Sequence, residues 1–141
     1  MKTQQEIAVF LLRIALASGF LSAVASRLNL WGARSSGWEK FVSYTAETNS
    51  FLPQSWASAI AVLSTAAELS LGILLLLGYQ VKMTAWGASV LTLLFAVAMS
   101  ISFGIKEPLD YSVFVFSAAA FLLSNFSRHI WSLDQFLYQY Q

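Results

Sequence analysis

Four long apolar runs occupy most of this 141-residue chain: Ile7 to Leu28, Ala57 to Leu77, Met83 to Phe103 and Leu109 to Phe126. Each approaches the roughly 20 residues that cross about 30 Å of hydrocarbon at 1.5 Å per residue, the fourth being the shortest. None alternates with period two, and a barrel strand needs only about 10 residues, so helices are the structure that satisfies the backbone inside lipid. Charged residues make up 11% of the chain and hydrophobic ones 57%, where a soluble domain carries about 25% charged residues. The expectation is an all-α integral membrane protein: one domain over residues 1–141, folded as an antiparallel bundle of four transmembrane helices.

The first run follows Lys2 and holds Ala23-Val24-Ala25 before Ser26, so it imitates a secretory signal and its cleavage site. Arg13 inside the apolar stretch, and the length of that stretch, argue instead for a retained span. The second and third runs are joined by 78–82 and the third and fourth by 104–108, connections short enough to make neighbours antiparallel. Between Asn29 and Trp56, Trp38, Phe41, Val42 and Thr45 recur at helical spacing with Glu39, Lys40 and Ser43 opposite, which predicts a short amphipathic helix at the membrane interface. Ile130, Leu133, Phe136, Leu137 and Tyr140 form a similar stripe beyond the fourth run. Trp56, Tyr79, Trp86, Tyr111 and Trp131 fall near the span ends, as an aromatic belt requires. Charge leaves the orientation open: Lys2, Lys82 and Arg128 share one face, Arg27, Arg34, Lys40 and Lys106 the other, and Arg13 evens the two.

Composition also excludes chemistry. A net charge of +1 offers no basic surface for nucleic acid, and the absence of cysteine removes disulfides, thiol catalysis, Fe–S clusters and thiolate metal sites. His129 is the single histidine, so no haem or di-metal site can be built on histidine pairs. Met83 and Met99 read as packing residues, and no phosphate loop or Ser/His/Asp set is present. No metal, haem or Fe–S cofactor is expected, and the bilayer is the first partner.

Glu68 is the most informative residue, because it stands near the middle of the second run, where an ionised side chain costs on the order of 3 kcal/mol. At 100° per residue it shares a stripe with Ala57, Ala61, Ser64, Thr65 and Gly72, small and polar groups that let another helix approach closely. That places Glu68 toward protein. In the first run Ala15, Ser18, Gly19, Ser22 and Ser26 form a second small stripe, with Arg13 on the opposite face among Val9, Leu16, Phe20 and Val24. Counting 1.5 Å per residue from the N-terminal face puts Arg13 at about 9 Å and Glu68 at about 14 Å, a gap that an arginine spans. Three arrangements follow: an Arg13–Glu68 pair that fixes register, a functional polar site of Glu68, Arg13, Ser64, Thr65 and Gly72, or a snorkelling Arg13 with a protonated Glu68. Asp110, after Pro108, suits the N-cap of the fourth helix.

From Ala67-Glu68-Leu69-Ser70-Leu71-Gly72 through the Leu-rich end to Gly78 the sequence resembles the DoxX family of small four-helix bacterial membrane proteins. Leu11-Leu12-Arg13 with Gly19-Phe20, Gly37-Trp38-Glu39-Lys40-Phe41 with Phe51-Leu52-Pro53, and Gly104 to Ser112 are similar to further segments of that family, so the resemblance covers about Ile7 to Phe126. The family takes its name from a small subunit associated with thiosulfate:quinone oxidoreductase. The resemblance therefore implies an inner-membrane protein with cytoplasmic termini, and an accessory role beside a partner oxidoreductase or in a homo-oligomer. Two functions are carried forward. The first is a quinone-binding subunit, with Glu68 bonding the headgroup and the small stripes of the first two helices bounding its site. The second is a non-catalytic scaffold, or a binder of a small apolar molecule, with Arg13 and Glu68 as a structural pair.

Overall fold

The computed structural model describes residues 2–138, and of Lys2 and Tyr138 only the backbone. Seven α-helices follow in order: α1 (Lys2–Arg27), α2 (Trp38–Thr48), α3 (Ala57–Leu77), α4 (Val81–Phe103), α5 (Lys106–Asp110), α6 (Val113–Ser124) and α7 (Leu133–Tyr138). Single 3-10 turns precede α2 and α3, and the described residues include no strand. Residues 3–27, 54–77 and 81–103 are long and apolar enough to cross a membrane. Tyr140, the last member of the C-terminal stripe, lies outside the described residues.

The four apolar helices close a ring, α1 on α3, α3 on α4, α4 on α6 and α6 on α1, with α2 laid across α3 and α4. Small residues make the close contacts. Ala85, Ala88 and Ala96 of α4 and Ala120 of α6 are fully buried, and Ser117 Oγ donates to the Ser89 carbonyl across that seam at 2.9 Å. Val9, Leu16, Ala17 and Phe20 of α1 complete the core with Leu75 and Leu123. Leu63, Leu94, Ile101 and Val115 point outward, the surface that a bundle in lipid presents.

The expected helix in the first loop is present and begins at Trp38. Its buried groups, Thr45 and Thr48, show that it packs on the bundle as well as carrying an apolar stripe. Tyr44 stacks on Phe103, and Ser102 Oγ donates to the Thr48 carbonyl, joining α2 to the end of α4.

The fourth run departs from expectation. Instead of one helix over 109–126, the chain forms α5, turns at Tyr111 and Ser112, and restarts as α6, whose 12 residues extend about 18 Å. Ser112 takes a left-handed conformation, φ 56°, which breaks the helix. Because α5 starts at Lys106, immediately after the turn at Gly104, Asp110 sits at the end of that helix and pairs with Lys106 one turn back. Asp110 is therefore not the N-cap of the fourth helix; Ser112 occupies that position and makes no side-chain capping bond.

Candidate functional site

Every member of the α3 stripe, Ala57, Ala61, Ser64, Thr65, Glu68 and Gly72, is buried, and Glu68 is only 2% exposed. Its partner is not Arg13. Arg27, the last residue of α1, donates from Nη2 to Glu68 Oε1 at 3.0 Å and from Nη1 to Thr65 Oγ1 at 3.1 Å. The guanidinium lies flat enough on Phe41 of α2 that its central carbon is 3.6 Å from the ring centroid. One cation thus ties three helices together: α1 supplies it, α3 the carboxylate and hydroxyl, and α2 the aromatic lid.

The register between α1 and α3 explains the exchange of partners. Phe20 and Leu21 of α1 abut Gly72, so closely that a Cβ added there would meet Leu21 Cγ at 2.9 Å. Arg13 is level with Gly78, just past the end of α3. Glu68 is ten residues earlier than Gly78 and so stands about 15 Å away along the helix, out of reach of Arg13. Arg13 lies farther from Glu68 than its depth in the first run predicts, because α1 begins at Lys2 rather than Ile7 and ends level with Thr65, two turns below the start of α3. One sequence signal pointed to Arg27. It follows Phe20 by seven residues and Arg13 by fourteen, so all three share the α1 face that carries Val9, Leu16 and Val24.

The remaining expected site residues have structural occupations. Ser64 Oγ donates to the Ala61 carbonyl of its own helix at 3.2 Å, and Gly72 is covered by α1. The small stripe of α1 does not face α3: Ala15, Ser18 and Ser22 are exposed. A ligand space bounded by the small stripes of both helices is therefore absent from this arrangement.

Arg13 instead anchors the C-terminal segment. Buried to 1% exposure, it donates to the carbonyls of Trp131 at 2.6 Å and Ile130 at 3.4 Å. Trp131 packs edge-on against Phe10. Asp134 accepts the amides of Gln80 at 2.7 Å and Val81 at 2.8 Å, so it caps α4 from 53 residues away. Gly78 completes the junction: its φ of 70° and the 2.5 Å that a Cβ would leave to both Arg13 Nη1 and Ser132 Cβ admit no side chain. The C-terminal apolar stripe marks a helix here but not its docking, since the strap's bonds join residues more than 50 positions apart.

His129 stands beside it. Burial pushes its pKa below the usual imidazole value, and Arg13 adds to that, while the Phe126 carbonyl and Asp134 oppose it. Neither ring nitrogen has a hydrogen-bond partner of ordinary geometry, although both are shut off from solvent. Among the described residues no group of three or more His, Asp or Glu side chains could hold a metal ion.

The family model for DoxX matches residues 8–101, which includes Arg27, Phe41, Thr65 and Glu68 and excludes α5, α6 and the C-terminal strap. No curated protein and no solved structure matches the chain. With two thirds of its length matched by that model, and all four residues of the intramembrane cluster inside the match, the chain belongs to the DoxX family.

Proposed function

We propose that this small membrane protein is an accessory subunit with a scaffolding role, working beside a partner oxidoreductase, and that Arg27 with Glu68 is the structural pin of its bundle. One observation carries this: the Glu68 carboxylate is held by a cation of its own chain, beneath Phe41, in contact with Thr65. A pinned carboxylate of this kind favours a fixed geometry over exchange of protons with a visiting headgroup. The filled space at Gly72 supports the same view. The exposed Ala15, Ser18 and Ser22 on α1 are the type of small-residue surface on which a helix of another subunit seats closely. The family relationship supports a bacterial inner-membrane location with both termini cytoplasmic.

The quinone-binding alternative requires the headgroup to displace Arg27 from Glu68, or to bond a carboxylate already in use. The two are separated by native mass spectrometry of the protein purified in mild detergent, with quinone extraction from the same sample. Retention of a membrane redox subunit, without quinone, is the expected result. A quinone that remains bound to this chain alone, and is lost in Glu68→Gln, would replace the scaffold by the quinone subunit.

A further inference from the structure

At the end of the bundle where α1 begins and α7 lies, a cavity of about 1040 Å³ opens between the start of α4 and the segment that follows α6. Its wall has the chemistry of an amphiphile site. Lys82 and Arg128 are exposed on it, and neither has an ion-pair partner among the described residues. Phe126, Met83 and Ile130 supply an apolar side. His129 also borders it, but its ring nitrogens are shut off from solvent, so the imidazole backs the wall and does not face an occupant.

The acidic groups of the wall decide the sign of that ligand. Asp134 is engaged through both oxygens with the amides that open α4, where a helix N-terminus favours negative charge. Asp134 keeps its charge, and the Arg13 guanidinium, within electrostatic range of it, offsets that charge. Among the described residues of the wall Glu6 is the other carboxylate, and against Lys82 and Arg128 it leaves one positive charge, which a phosphodiester monoanion neutralises. The cavity lies at the ends of α4 and α6, the depth at which lipid headgroups reside, and basic pockets between membrane helices bind acidic headgroups there.

We propose that this cavity is a binding site for a phosphate monoanion, with Lys82 and Arg128 as charge partners and Phe126, Met83 and Ile130 as the seat for attached acyl chains. The shared chemistry has two sources, an acidic phospholipid or free phosphate. Both are tested on the full chain in nanodiscs and in micelles, using phosphatidylglycerol, phosphatidylcholine and inorganic phosphate as probes, read by native mass spectrometry and by titration. The expected result is about a tenfold preference for phosphatidylglycerol over phosphatidylcholine, abolished in Lys82→Gln/Arg128→Gln, as loss of two interfacial cations predicts. Because both side chains are exposed, that variant leaves the packing untouched. Inorganic phosphate bound by the wild type and not by the double variant, without lipid preference, would support the site with free phosphate as its occupant. Equal retention of both lipids together with no phosphate binding, or undiminished binding in the double variant, would overturn the proposal.

Discussion

Removing Glu68 should cost more than removing the arginine that binds it. In Glu68→Leu, Arg27 keeps Thr65 and Phe41 but loses its counter-charge, with its side chain only 11% exposed. A guanidinium cannot shed its proton, so the charge stays uncompensated at about 3 kcal/mol, the lower end of the range for breaking a buried pair. In Arg27→Leu the abandoned carboxyl group can take up a proton and become neutral, which limits the loss to about 1–2 kcal/mol. The double variant leaves no orphan and should lie within about 1 kcal/mol of the wild type. These values give a coupling energy of about 3 kcal/mol, more than a hundredfold in the unfolding equilibrium. Reversible unfolding in mixed micelles, followed by far-ultraviolet circular dichroism, measures all four proteins. A double variant as unstable as Glu68→Leu would refute the pairing. Coupling of Glu68 to Arg13, in place of additivity, would refute the register between α1 and α3.

Gly78→Ala should destabilise by about 2–4 kcal/mol, combining a left-handed residue with overlap against Arg13 and Ser132, and a thermal-shift series against Gly32→Ala, where a positive φ of 57° exists without a neighbour, separates the two causes. Gly72→Ala should cost about 1–3 kcal/mol because Leu21 and Phe20 already fill that space, and a neutral effect would argue for a cavity beside Glu68. The pKa of His129 is lowered on folding, so the unfolded strap binds the proton more tightly. Its contribution to stability is complete above the usual value of 6.5 and is lost as pH falls from there toward the lowered native value. The protection factors of the Gln80 and Val81 amides, which donate to Asp134, should therefore fall below about pH 6 in the wild type and not in His129→Phe. Cysteines placed at Gln4, which is exposed, and Ser35, which is half-buried in the loop before α2, should label from opposite sides of the membrane with an impermeant thiol reagent, Ser35 from outside; labelling of Gln4 alone from outside would reverse the orientation.

The residues themselves determined the helices and the inward face of α3, because both depend on a 3.6-residue period that a side chain shares with near neighbours in the chain. Trp38, Phe41, Val42 and Thr45 marked α2 by the same local rule. Asp110 and Ser112 show where that rule weakens: a short polar residue after proline fits a cap or a helix end equally well, and the left-handed turn at Ser112 chose between them. The partner of Glu68 was a different kind of quantity. It depends on how far α1 slides along α3, which is set where Phe20 and Leu21 close on Gly72, and a shift of two turns exchanges Arg13 for Arg27. The bonds from Arg13 to Ile130 and Trp131, separated by 117 and 118 residues, exist only once the two ends of the chain have been brought to the same end of the bundle. Periodicity assigns a side chain to a face, and only the packing of one helix on another assigns it a partner.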